Sequence, residues 1–305
     1  MIGIMTTTPE VMTTQEAMTT AEPGPFAREL RRWRGLRRWS QLDLAIRTGT
    51  TQRYLSYLEQ GRSQPGRTVV LRLAESLGLS LRERNALLMS AGYAPAFDES
   101  GWDAPRLEPM RTALKSVLDG HLPYPALITD KRGTLIDANA AFALFVEDCA
   151  PELLRRPVNV LRLALHPDGP ARRIVNLPEW GRHVTEALRT RTRISPDPEL
   201  DALIAELEGY LPPAEPGPGY VGFAVPLRMR TDDGELSLIT TLMSVATATD
   251  IFLAELQLEA FLPADRATAD ILRTRAERGP AGTPDSARAP GHWTPRRNHG
   301  HQDSG

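Results

Sequence analysis

The chain has little of what fixes a protein's surroundings by itself. Among its 305 residues there is one cysteine, Cys149, so no disulfide can form within a chain. It has no apolar run of about 18 residues, the length that a membrane-spanning helix needs. Its first residues also lack the basic and apolar segments of a secretory leader. These absences lead us to expect a soluble, cytoplasmic protein.

The two ends of the chain lack apolar periodicity. Residues 1–24 are rich in Thr, Met, Pro and Glu, and residues 276–305 are rich in Pro, Gly, Arg and His. Segments of this composition cannot bury enough apolar surface to order themselves. We therefore expect disordered tails at both ends.

Lysine is scarce, and the positive charge comes almost wholly from arginine. The arginines are unevenly distributed along the chain. Between Phe26 and Arg72, eleven arginines stand against three acidic residues, a net charge of +8; because the whole chain carries −2, the remainder carries −10. A basic segment joined to an acidic remainder is typical of a nucleic-acid-binding module beside a second domain. Taken alone, the same run also fits a solvated arginine-rich face.

Residues 40–61 have the pattern of two short helices joined by a tight turn. Ser40 is suited to cap the first helix, and Asp43 favours its positive end. Gly49 stands where the chain must leave that helix in a left-handed conformation, and Thr51 can cap the second helix. The pattern predicts a helix-turn-helix, the arrangement that lets a helix enter the DNA major groove.

Flanking helices complete a small all-α domain over residues 26–92. Helical spacing on either side of the pair and in a fifth segment near residues 81–90 predicts apolar stripes that close a core. Their apolar residues are Phe26, Leu30, Trp33, Val70, Leu73, Ala74, Leu77, Leu87 and Leu88.

The second helix of the pair is the candidate recognition helix. Leu55 and Leu58 share its buried face. The candidate base-contacting residues are Gln52, Arg53, Tyr54, Ser56 and Tyr57. The candidate contacts to the DNA backbone are Ser40, Gln41, Arg31, Arg37, Arg38 and Arg62.

Ser40-Gln41, Leu44-Ala45, Gly49 and the run Tyr54–Gly61 resemble the Xre family of five-helix, repressor-type DNA-binding domains. The resemblance implies a double-stranded DNA operator as partner. It also implies a homodimer, because one recognition helix reads too few bases for adequate specificity.

After a linker at residues 93–106, the pattern changes to an α+β domain at residues 107–274. We expect a helix near Met110–Leu118 and strands at residues 126–129 and 134–137. Asn139 then opens a helix, an order that resembles the start of a PAS-like sensor domain.

Helical spacing follows at residues 159–165, 177–191 and 198–211, and three antiparallel strands are predicted at Val221–Met229, Leu236–Val245 and Ile251–Leu258. Such a sheet, with helices over one face, can enclose a pocket. Its candidate lining residues are Trp180, His183, Phe223 and Phe252, which are equally compatible with an ordinary core.

The segments Asn159–Gly169, Ile174–Trp180, Val225–Arg228 and Ala254–Asp265, in this order behind the helix-turn-helix, resemble the MmyB-like family of bacterial regulators. The resemblance spans residues 26–274. It implies a PAS-like C-terminal domain that binds a small apolar molecule such as a fatty acid, with no other cofactor and no metal.

The combined expectation is a multidomain, cytoplasmic and nucleoid-associated transcription regulator whose operator binding responds to a small apolar ligand. The sequence has no nucleophile elbow, phosphate loop or paired-carboxylate motif, so we do not expect an enzyme. Two alternatives stay open: a small-molecule enzyme fused to a DNA-binding module, and a partner-binding regulator without a metabolite ligand.

Overall fold

The computed structural model describes residues 23–212 and 224–278. These residues divide into two compact units, one formed by residues 23–78 and 86–94 and the other by residues 79–85, 95–212 and 224–278. Most of both predicted tails, and Phe223, lie outside the described residues. The last helix continues to Arg278, slightly beyond the predicted start of the second tail.

The first unit is helical, as the sequence predicted. Leu30, Leu44, Leu55, Leu73 and Leu88 are buried at its centre, each with at most 1% of its surface exposed. The residues of the fifth helix are divided between the two units. The helices are α1 (Pro25–Leu36), α2 (Gln41–Thr48), α3 (Gln52–Glu59), α4 (Arg67–Ser76) and α5 (Leu81–Ser90).

The turn between α2 and α3 has the predicted local chemistry. The Ser40 hydroxyl accepts a hydrogen bond from the Asp43 amide at 3.1 Å, and the Asp43 carboxylate accepts one from the Ser40 amide at 2.8 Å. Gly49 has a φ of +61°, in the left-handed region. Thr51 caps α3 by accepting a hydrogen bond from the Tyr54 amide. These contacts confirm the predicted helix-turn-helix.

In the described part of the chain, the second unit combines seven α-helices with five strands. The helices are α6 (Glu108–Gly120), α7 (Ala143–Val146), α8 (Val160–Leu165), α9 (Leu177–Ile194), α10 (Pro198–Tyr210), α11 (Ile251–Glu255) and α12 (Arg266–Arg278). The strands are β1 (Ala126–Thr129), β2 (Leu135–Ala138), β3 (Leu227–Thr231), β4 (Gly234–Ser244) and β5 (Gln257–Pro263).

The five strands form one antiparallel sheet in the order β2-β1-β5-β4-β3. Both faces of the sheet are covered, whereas the sequence predicted helices over one face only. Leu127 and Phe261 belong to a core that includes residues of α8, α9 and α10. On the other face, Ile128 packs in a second core with residues of α6 and α11.

The predicted strand at Ile251–Leu258 is wrong. Residues 251–255 form helix α11, and the strand begins at Gln257. The Asp250 carboxylate caps this helix by accepting hydrogen bonds from the amides of Phe252 and Leu253. A short apolar run has no periodicity that separates a buried helix from a strand, so the cap decides its conformation.

Replacing Gly49 with alanine tests the left-handed turn. A Cβ at Gly49 meets no atom within 4 Å, so the cost is conformational and amounts to about 1 kcal/mol of unfolding free energy. Gly35→Ala is the matched control, because Gly35 lies within α1 without a positive φ, and we expect stabilisation of about 0.5 kcal/mol. Urea unfolding of the full chain measures both; equal effects of the two substitutions would contradict the assigned turn.

Candidate functional site

A buried charge anchors the candidate recognition helix. Glu59, at the end of α3, has 2% of its surface exposed. Arg34 of α1 donates from Nε and Nη2 to its two carboxylate oxygens, at 2.6 and 2.8 Å. Gln41 of α2 donates to the same carboxylate at 2.8 Å. One side chain therefore ties α3 to both preceding helices.

The electrostatics of this cluster favour the ionised carboxylate. Burial alone would raise the pKa of Glu59, but the hydrogen bonds from Arg34 and Gln41 outweigh it and hold the pKa below its usual value. The same pairing raises the pKa of Arg34. The pair is fully charged at neutral pH, so α1, α2 and α3 are joined by charge-assisted hydrogen bonds.

The five candidate base-contacting residues differ in exposure. Gln52 and Arg53 are exposed, whereas Tyr54, Ser56 and Tyr57 are half-buried. Arg53 Nε donates to the Tyr57 hydroxyl at 2.9 Å, one helical turn away. This contact aligns the guanidinium along the helix surface. Base contact by these five residues stays a prediction.

The candidate backbone-contacting residues fall into two groups. Arg38 and Arg62 are exposed, and Ser40 is exposed while it caps α2. The other three take part in contacts inside the unit: Gln41 with the Glu59 carboxylate, Arg31 with the Glu59 carbonyl at 2.9 Å, and Arg37 with the Leu77 carbonyl at 2.9 Å. Phosphate contact by all six stays a prediction. The arginine cluster thus supports the fold as well as supplying charge.

The second unit contains a cavity of about 410 Å³ between its sheet and helices α8 and α9. This volume is within the usual range for small-molecule sites. Most of its wall is apolar. Side chains that line it include Leu127, Phe142, Phe145, Leu165, Leu188 and Phe261.

Two of the predicted lining residues border the cavity. Trp180 is buried there, and His183 lies one helical turn after it on α9, at an exposed position. Their contact with a ligand stays a prediction. Phe252, in contrast to the prediction, does not line this cavity. Its ring packs against Trp102 at a centroid distance of 6.3 Å, in the core on the other face of the sheet. The misplaced strand at Ile251–Leu258 caused this error.

Apart from His183, sequence reasoning missed the polar residues that line the cavity. Thr129, Gln257 and Glu259 reach it from the sheet, and Arg191 reaches it from α9. Burial raises the pKa of Glu259 despite the opposing charge of Arg191, and burial lowers the pKa of Arg191. The alternation of Gln257 and Glu259 with apolar residues was a usable signal, but it required the correct position of β5.

Among residues 23–212 and 224–278, no group of three or more His, Cys, Asp or Glu side chains is arranged to hold a metal ion. Within the same ranges, each helix is either too short or too polar to cross a membrane.

A capped helix-turn-helix with a basic surface, together with a separate α+β unit that encloses an apolar cavity, defines a DNA-binding regulator with a ligand-binding domain. Residues 25–87 match the family described as a helix-turn-helix domain. Residues 110–274, more than half of the chain, match the family described as the MmyB-like transcription regulator ligand binding domain. The chain belongs to this family of MmyB-like transcription regulators.

Similarity to solved structures is weak. A structure described as an RNA-binding light-oxygen-voltage receptor is similar at 14% identity with a TM-score of 0.24, over 84% of this chain. The present chain spans 64% of the length of that protein. The chain has no match among curated proteins.

Glu59→Gln tests the buried anchor. The substitution keeps the shape of the side chain but leaves the Arg34 guanidinium without its counter-charge, so we expect a loss of roughly 3 kcal/mol of local stability. Hydrogen exchange at the amides of α2 and α3 measures this loss within the full chain. The control is Glu29→Gln, at an exposed ion pair with Arg32, which should change stability by no more than about 0.5 kcal/mol.

The effect of Glu59→Gln should depend on pH. Because the pKa of Glu59 is lowered in the folded state, its stabilisation is complete above the ordinary carboxyl pKa and is lost as the pH falls through the folded-state value. The difference between wild type and Glu59→Gln should therefore shrink in acid. A difference that stays constant into acid would show that the charge of Glu59 is not what stabilises α3.

Proposed function

We propose that this protein is a sequence-specific, cytoplasmic transcription regulator that acts at the nucleoid and that its α3 helix reads operator DNA in the major groove. The observation that carries the proposal is the division of α3 into two faces. Leu55, Leu58 and Glu59 are buried in the helical unit, while Gln52 and Arg53 are exposed. Glutamine and arginine side chains are suited to bidentate contacts with adenine and guanine edges.

Arg53→Ala should reduce discrimination among operator variants. A bidentate contact to guanine contributes roughly 1–3 kcal/mol of discrimination at one base pair. Arg62→Ala is the matched control, because Arg62 is exposed just beyond α3, and loss of one phosphate contact should weaken all duplexes similarly and reduce the salt slope by about 1.

The measurement begins with selection of bound duplexes from a random library, followed by affinity measurements on single-base variants of the selected operator at several salt concentrations. If Arg53→Ala ranks the operator variants as wild type does, the proposal that Arg53 contacts a base is rejected. Failure of the wild type to enrich any sequence would reject sequence-specific binding itself.

We further propose that the protein binds its operator as a homodimer. One recognition helix contacts few base pairs, and two helices set about 34 Å apart reach successive major grooves of a palindrome. Sedimentation of the complex with operator DNA gives the number of chains per duplex.

Ligand binding would favour one of two arrangements of the recognition helices. A coupling free energy of about 1–3 kcal/mol between the ligand site and the DNA site would change DNA affinity about 5- to 150-fold.

The effector proposed for the cavity is a small apolar molecule of fatty-acid type. Its support is the apolar wall, whose aromatic residues Phe142, Phe145 and Phe261 surround a volume that suits a small molecule. An open cavity supports this proposal over a partner-binding regulator without a metabolite. The regulatory families of both domains support it over an enzyme.

Ala187→Trp should block the effector. Ala187 lines the cavity at an exposed position of α9, so a larger side chain can occupy the cavity without overpacking a closed core. Ala205→Trp, at an exposed position of α10 outside the cavity lining, is the control. Mass spectrometry of the co-purified small molecules should find an apolar compound at stoichiometric amounts with wild type and Ala205→Trp, and not with Ala187→Trp. Equal retention by all three proteins would place the compound elsewhere.

A further inference from the structure

The cavity changes in polarity from one end to the other. On β5, Gln257, Glu259 and Phe261 alternate with residues of the opposite face and all line the cavity. The strand register places Thr129 opposite Gln257 and Leu127 opposite Glu259. Along β5 the lining therefore passes from aromatic at Phe261 to polar at Gln257.

Helix α9 forms the facing wall. It lines the cavity from Trp180, past His183 and Leu188, to Arg191, a distance of about 16 Å along the helix axis. Arg191 donates to the Gln257 side chain at 3.3 Å, so the polar residues of both walls meet. We call Thr129, Arg191, Gln257 and Glu259 the polar end of the cavity.

Two groups at the polar end have unused hydrogen-bonding capacity. In the part of the chain that the structure describes, no side-chain hydrogen bond is formed by Thr129 or by the Glu259 carboxyl. The Arg191 guanidinium donates to the Gln257 side chain and to the Lys131 carbonyl, and in the described part of the chain no hydrogen bond joins it to Glu259. Glu259 is half-buried, and its carboxyl lies at the wall of the cavity, where a ligand can supply the missing partner. Burial raises the pKa of Glu259.

We propose that the ligand is an amphiphile whose alkyl chain lies against Phe145 and Phe261 and whose head group donates a hydrogen bond to Glu259. Such a head is a hydroxyl, an amide or an ammonium group, rather than a carboxylate. The inference rests on the proposed function, in that the cavity holds a small apolar effector, and it specifies the polar end of that effector. It keeps the alkyl chain of a fatty acid and changes the head.

The discrimination follows from charge and hydrogen bonding together. A ligand carboxylate at the polar end would lie beside Glu259, and the two carboxyl groups would compete for the guanidinium of Arg191. A carboxylate also brings no hydrogen-bond donor to Glu259. A donor head satisfies Glu259 and leaves its electrostatic interaction with Arg191 in place.

The experiment compares four probes with the same alkyl chain: dodecanol, dodecanamide, dodecylammonium and dodecanoate. Each is titrated by calorimetry, near neutral pH and below its micelle concentration, into full-length protein freed of co-purified lipid. We expect at least one donor-head probe to bind wild type about tenfold more tightly than dodecanoate, since one additional hydrogen bond contributes up to about that factor.

Glu259→Gln should remove this preference, because the glutamine amide can itself donate to a carboxylate. Dodecanoate should then bind at least as tightly as dodecanol. Glu186→Gln, at an exposed position of α9 outside the cavity lining, should keep the wild-type ranking. The wild-type ranking tests the head group even if Glu259→Gln does not fold.

The outcomes separate the two proposals. If dodecanoate binds wild type as tightly as every donor-head probe, the head-group inference is overturned and the apolar-effector proposal stands. If Glu259→Gln keeps the wild-type ranking, Glu259 is not the group that selects the head. If none of the four probes binds wild type or changes its affinity for the selected operator, both the inference and the apolar-effector proposal fail.

Discussion

The second unit depends on the pairing of β5 with β1, which is distant in sequence, and with β4, the preceding strand. Strand β5 pairs with β1 on one side and with β4 on the other, so the sheet is complete only when the last strand is in place. Its alternating side chains then serve two purposes. Leu258 packs in the core with α6 and α11, while Glu259 and Phe261 line the cavity. The register of a single strand thus fixes both a core and a binding surface, and a shift by one residue would exchange them.

At the polar end of the cavity, the Glu259 carboxyl is half-buried and has no side-chain hydrogen bond in the described part of the chain. Such a group costs stability, and an apolar side chain at position 259 would remove that cost. Polar groups without a hydrogen-bond partner in the protein are expected at functional sites, because such a group is available to a ligand. In the proposed complex, the apolar end of the cavity supplies most of the contact area, and the polar end selects the head group of the ligand.

The sequence was most informative where a structure is specified locally. Ser40, Gly49 and Thr51 act through their own backbone conformation and their nearest neighbours, so the helix-turn-helix could be predicted residue by residue. Helices α8, α9 and α10 were found from their apolar spacing. The run Ile251–Leu258 failed because its apolar composition suits both conformations, and the Asp250 cap selected a helix. The pairs Arg34–Glu59 and Arg191–Glu259 depend on how distant elements pack, so no local pattern could indicate them.

The anchoring of α3 through Glu59 has a consequence for how regulators of this architecture diverge. The contacts that hold the helix in place come from Leu55, Leu58 and Glu59, and none of them involves the exposed side chains of Gln52 or Arg53. Under the proposed recognition, the residues that select the DNA sequence are therefore residues that the fold of the domain does not need. Exchange of Gln52 and Arg53 in a duplicated gene would then change the target site without first costing stability.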